Sequence, residues 1–168
     1  MTGNPLFRIA AAIYKWIIHF NTTWLQPLFL LVIRLYWGWQ FFITGKGKLG
    51  DIPKVTGFFH SLGIPFPELN AYLAGCTECF GGLLLLAGLA SRVTTLPLIF
   101  TMIIAYLTAS PDAVKNIFHD QDPFFKDDAF TFLAAAVIIF LFGPGPLSLD
   151  GLIGRFLKSR AAGETTPS

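Results

Sequence analysis

The chain has 168 residues, of which 54% are hydrophobic and 13% charged, and its mean hydropathy is +0.61. A soluble domain of this length carries about 25% charged residues, so the composition points to one membrane domain and leaves no room for a separate soluble one. The net charge of +2, spread over scattered bases, excludes a nucleic-acid partner. The expected fold class is all-α: a four-transmembrane-helix bundle with amphipathic interfacial helices at both termini. It forms a single membrane domain over residues 1–160, followed by a mobile tail at 161–168.

The first 20 residues carry Arg8 and an apolar run, as a signal peptide does, but Asn21-Thr22-Thr23-Trp24 is no cleavage site. Leu6, Ile9, Ile13, Ile17 and Phe20 share one helical side, while Arg8, Lys15 and His19 share another. This pattern predicts an uncleaved interfacial helix over about 5–20. The first span is expected at about 24–44. It ends in Gly45-Lys46-Gly47-Lys48-Leu49-Gly50, which formally matches a dinucleotide-binding G-x-G-x-x-G. No strand precedes it and Pro53 follows it, so it reads instead as a flexible exit from the bilayer carrying two bases. Lys46 and Lys48 would contact lipid phosphate or sit above a polar site and attract an anion.

The second and third spans, about 70–90 and 93–109, are joined by little more than Ser91-Arg92 and must form an antiparallel hairpin. Ser110-Pro111-Asp112 reads as a helix cap followed by a short helix. The fourth span, about 124–142, has Asp128 as its expected cap and stops at Gly143-Pro144-Gly145-Pro146. Leu149, Leu152, Ile153, Phe156 and Leu157, set against Asp150, Arg155 and Lys158, predict a second interfacial helix over about 148–160. The N-terminus, the Ser91-Arg92 turn and the C-terminus carry six bases (Arg8, Lys15, Arg92, Arg155, Lys158, Arg160) against two acids (Asp150, Glu164). The other two loops carry five bases (Lys46, Lys48, Lys54, Lys115, Lys126) against seven acids. On a base count of six to five, with bases in all three segments of the first side, the positive-inside rule places both termini in the cytoplasm.

Arg34 and Glu78 are the two ionisable residues deep inside the spans. A charge there costs about 2.5–3.5 kcal/mol on insertion scales. Counted from the same side, the two lie roughly 15 Å and 12 Å deep at 1.5 Å per residue. A guanidinium cannot shed its charge in a protein, so Arg34 demands a counter-charge, and Glu78 is the intramembrane acid. Gly38, Gly75 and Gly82 lie beside the pair on the stripes that would let the helices approach. The pair is either a static pin of helix register or a polar chamber for a head group or proton.

Cys76-Thr77-Glu78-Cys79 is a C-x-x-C, the spacing of possible redox thiols. A mid-helix apolar setting disfavours the reactive thiolate, and small packing residues are the plainer reading. His19, His60 and His119 lack ligand spacing, and no metal site is expected.

Arg34–Leu49 (RLYWGWQFFITGKGKL), Glu78–Arg92 (ECFGGLLLLAGLASR) and Asp128–Leu152 (DAFTFLAAAVIIFLFGPGPLSLDGL) resemble the DoxX family of bacterial integral membrane proteins. The resemblance spans about residues 28–152. It implies four transmembrane helices, a bacterial cytoplasmic (inner) membrane location, and a loose link to respiratory or sulfur redox chemistry, since the family takes its name from a quinone-linked oxidoreductase subunit. Most members have no established activity. By carry-over Arg34, Lys48, Glu78 and Lys46 become the positions to watch, and the cysteines lie outside the family pattern. The leading expectation is a subunit or accessory of a quinone-linked redox system, surrounded by membrane lipid and joined to redox-complex subunits. A quinone head group, a hydrogen-bond acceptor, would suit Arg34 as donor. The alternatives are a small-molecule or proton-coupled carrier and a structural anchor that recruits partners.

Overall fold

The computed structural model describes residues 5–164, and among them there are only helices and no strand. The chain order is α1 (Pro5–Phe20), a π-helical stretch (Asn21–Leu25), α2 (Gln26–Gly50), α3 (Ile52–Ser61), α4 (Pro67–Ala87), α5 (Ser91–Ala109), α6 (Pro111–Lys115), α7 (Asp122–Lys126), α8 (Asp128–Phe142) and α9 (Leu149–Glu164). α9 runs through Glu164, into the stretch expected to be a mobile tail. The rest of that expected tail, residues 165–168, lies outside the described residues.

The expected break between the N-terminal helix and the first span is absent. Leu6–Gly50 is one apolar helical run of 45 residues. Pro27 explains the π-helical stretch inside it. A proline ring collides with the carbonyl four residues back and offers no N–H. Widening the turn just upstream relieves that conflict, and the Gln26 N–H accordingly donates to the Asn21 carbonyl.

α4 and α5 are also long and apolar enough to cross a bilayer, and α8 is a shorter apolar helix. α4 ends at Gly88 (φ 68°), whose N–H and that of Leu89 donate to carbonyls of the last turn. The tight link through Ala90 makes α4 and α5 the expected antiparallel hairpin. α8 is capped by the Asp127 side chain, which accepts from the Ala129 N–H (2.8 Å). Asp128, the expected cap, is instead the first helical residue. Ser110 precedes α6 as expected, but its hydroxyl bonds the Asp127 carboxylate rather than its own helix.

The most extensive interface joins α2 to α4. It is built on small residues. A β-carbon on Gly45 would stand 2.2 Å from the Cys79 nitrogen, and one on Gly82 would stand 2.4 Å from the Phe42 nitrogen. Backbones this close gain dispersion contacts that larger side chains would forbid. Beside this interface Phe41, Leu85, Leu98, Met102, Ala136 and Ile139 form the core between α2, α4, α5 and α8, with Phe132 edge-on to Phe41 (centroids 4.7 Å apart). The outer faces carry exposed apolar side chains, among them Phe29, Val32, Leu73, Phe80, Phe100 and Leu107. Such a continuous apolar surface suits lipid rather than water.

Candidate functional site

α2 and α4 run antiparallel, with Gly38 beside Gly82 and Leu86, Gly45 beside Glu78 and Cys79, and Gly75 beside Leu49. This register decides which charges meet. The residue of α2 that reaches Glu78 is Lys48, whose Nζ forms an ion pair and hydrogen bond with Glu78 Oε1. Arg34 lies 14 positions from Lys48 on the same helix (48 − 34), about 21 Å at 1.5 Å per residue. The expected Arg34–Glu78 pair is therefore not formed.

The difference comes from where α2 ends. The Gly-Lys-Gly-Lys run is not a flexible exit but the last turns of α2, which continues to Gly50. Gly45 is buried against α4 rather than freeing the backbone. Depths counted from a helix end at Thr44 were consequently about two turns short for Arg34.

Arg34 is 3% exposed and has a different set of partners. Its Nη1 donates to the Pro144 carbonyl (3.0 Å) and its Nη2 to the Leu147 carbonyl (2.7 Å). Asp150 is the acid whose charge acts on it. Asp150 also caps α5, accepting from the Ala90 N–H (2.7 Å) and the Ser91 N–H (2.9 Å), while its own N–H donates to the Gly88 carbonyl (2.9 Å). Ser148 completes this knot, donating to the Gly145 carbonyl (2.5 Å) and accepting from the Gly151 N–H (3.0 Å). The FGPGP…SLD segment thus folds its carbonyls onto Arg34 and its carboxylate onto the start of α5. From the sequence Asp150 is a polar residue of an expected interfacial helix and one of two acids on its side of the membrane. Its position two residues after Ser148 in a Ser-Leu-Asp run, where side chains commonly cap backbone N–H groups, is the available signal.

At the other end of the bundle a cavity of about 920 Å³ lies between the end of α2, α3, the first half of α4, and α5. Its walls are mostly apolar, including Val55, Phe59, Leu73, Phe100 and Ile104. Lys48 and Glu78 are part of that wall. Glu78 is 1% exposed, and its Oε2 is buried with no hydrogen-bond partner. The Lys48 side chain is 31% exposed. A large apolar pocket with a few convergent polar groups is the usual form of a small-molecule site.

Lys46 is exposed on the same helix and is not part of the wall. Cys76 and Cys79 are unbridged thiols on α4, partly exposed and also outside the wall. His19, His60 and His119 are exposed and belong to separate elements. Among the described residues no three His, Cys, Asp or Glu side chains are placed to share a metal ion.

Apolar helices of bilayer length, an apolar outer surface and an ion pair buried beside an apolar cavity define a multi-pass helical membrane protein. Residues 29–111 match the family model DoxX, the family that the sequence resembles. The matched stretch holds Arg34, Lys48 and Glu78 and ends before the FGPGP…SLD segment. The chain is also 29% identical over 131 residues to the Bacillus subtilis (strain 168) protein described as "Putative oxidoreductase CatD", covering 77% of this chain and 90% of that one. No solved structure matches the chain.

Proposed function

We propose that the protein is a subunit or accessory of a quinone-linked redox system, and that the cavity beside Lys48 and Glu78 receives the quinone head group. The observation that carries this reading is the pairing of a buried carboxylate and an ammonium on the wall of a large apolar cavity. The ammonium has three N–H donors and uses one on Glu78, so two remain for a ligand carbonyl. The apolar walls suit a ring and isoprenoid tail. The description of the Bacillus subtilis relative as an oxidoreductase favours the same direction.

By the loop charges, both termini face the cytoplasm of a bacterial inner membrane. The cavity then sits in the outer half of the bilayer. Lipid covers the apolar faces, and other subunits of a redox complex supply or remove electrons. Titration of the purified protein with ubiquinone or menaquinone tests this. Saturable binding, weakened by Lys48→Met and untouched by Lys46→Met, is expected. Absence of binding to both quinones and to their quinols would reject the reading.

A second reading, a proton-coupled carrier, draws on the same carboxylate, since an intramembrane acid with a free oxygen is suited to holding a proton. It calls for pH-dependent uptake into vesicles that Glu78→Gln abolishes.

A further inference from the structure

We infer that the Lys48–Glu78 cavity selects a head group bearing a hydrogen-bond donor, a hydroxyl above all. On the quinone-linked reading, upon which this rests, the quinol is the tightly held form. The argument is one of unmet hydrogen bonds. A carboxylate paired with an ammonium is an acceptor at both oxygens. Lys48 occupies Oε1, and Oε2 is buried without a partner.

The neighbouring polar groups of the wall do not supply the missing hydrogen. The hydroxyls of Thr44, Thr101 and Thr108 donate to carbonyls of their own helices, and the Asn70 amide donates to the Pro65 carbonyl. Lys54 and Thr77 also line the wall, and neither is bonded to Oε2. Arg34 is held by Pro144 and Leu147 at the far end of the bundle. A buried acceptor left unmet is costly, and hydrogen bonds to charged groups are among the stronger ones. Oε2 is closed to water in this structure, and a small turn of the Glu78 carboxylate toward the cavity it lines brings it to a ligand hydroxyl and removes that cost. A quinone carbonyl in the same place would set lone pairs against lone pairs, and could be met only by the remaining Lys48 hydrogens. The same chemistry excludes a purely apolar occupant, such as an acyl chain, from the Glu78 end of the cavity.

Anaerobic calorimetric titration of the full chain in detergent tests the inference with three probes of one ring size: a naphthohydroquinone, the matching naphthoquinone, and the dimethyl ether of the hydroquinone. The hydroquinone is expected to bind at least about tenfold more tightly than either of the others, the scale of one hydrogen bond to a charged group. Glu78→Gln should bring the three within about threefold of one another, because an amide offers both a donor and an acceptor. Equal affinities for the three probes on the wild-type protein, or a preference for the quinone, overturn the donor rule while leaving the quinone-linked reading standing. Failure of all three to bind overturns both. The diether comparison uses wild-type protein alone, so it decides the matter even where Glu78→Gln does not fold.

Discussion

Arg34 Nη1 lies 2.5 Å from where a β-carbon on residue 88 would stand, and that residue is glycine with a φ of 68°. The guanidinium therefore occupies space that only a glycine leaves open, at the turn that ends α4. Gly88→Ala would add left-handed backbone strain and a collision with Arg34 and with the Ser148 β-carbon, 2.6 Å away. A loss of about 2–4 kcal/mol is expected. Thermal unfolding in detergent should show a clear fall in Tm, and an unchanged Tm would remove the close approach from the account.

The two glycines Gly45 and Gly47 belong to one short run but should respond in opposite ways. A methyl on Gly45 meets the α4 backbone at 2.2 Å, whereas a methyl on Gly47 meets nothing within 4 Å. Gly45→Ala should destabilise by about 1–3 kcal/mol through forced separation of α2 and α4. Gly47→Ala should be neutral or stabilising by up to about 1 kcal/mol through helix propensity. Chemical unfolding curves of the two variants side by side provide the check, and equal losses would mean that α2 does not hold its register here.

Removing one partner of a buried ion pair strands the other. Lys48→Met leaves a carboxylate that is 1% exposed, while Glu78→Gln leaves an ammonium that is 31% exposed. Lys48→Met should thus cost more, about 3 kcal/mol or above. The double variant with Glu78→Leu should recover most of it. A double-mutant cycle should give strong coupling for positions 48 and 78 and near additivity for positions 34 and 78, which share no contact. Coupling of the Arg34–Glu78 type would contradict the helix register.

Asp150 joins α9 to the start of α5 through two backbone N–H groups. Asp150→Ala should lower stability by about 1–2 kcal/mol, and Asp150→Asn, which keeps one acceptor oxygen, should lose less. Hydrogen exchange should localise the change to the first turn of α5. Protection unaltered at Ala90 and Ser91 would count against the cap.

Neither Cys76 nor Cys79 contributes to the cavity wall. The double Cys→Ser variant should bind the naphthohydroquinone with wild-type affinity. A large loss of affinity would bring the thiols back into the site.

The long apolar helices, the α4–α5 hairpin and the small-residue stripe of Gly38, Gly75 and Gly82 were readable from spacing and composition, because apolar runs and turn residues act locally; α3 and the continuity of α1 into α2 were not. The burial of Arg34 and Glu78 was readable too, since both lie well inside apolar stretches. Their partners were not. Pairing by depth required the true end of α2, and two glycines beside two lysines resemble a fraying terminus unless the α4 backbone against which Gly45 packs is in view. The partners of Asp150 were not legible for a related reason: it acts across 116 positions on Arg34 (150 − 34) and across 59 on Ser91.

The sequence by itself determined that this is an all-helical membrane protein with charge buried where charge is expensive. The tertiary structure alone decided which charges share a fate. Side-chain chemistry sets the demand for a partner, but a close-packed antiparallel interface has one register, set by where glycines let backbones touch. That register puts Lys48, not Arg34, beside Glu78 at the cavity. It leaves Arg34 to the carbonyls of the Gly-Pro-Gly-Pro turn.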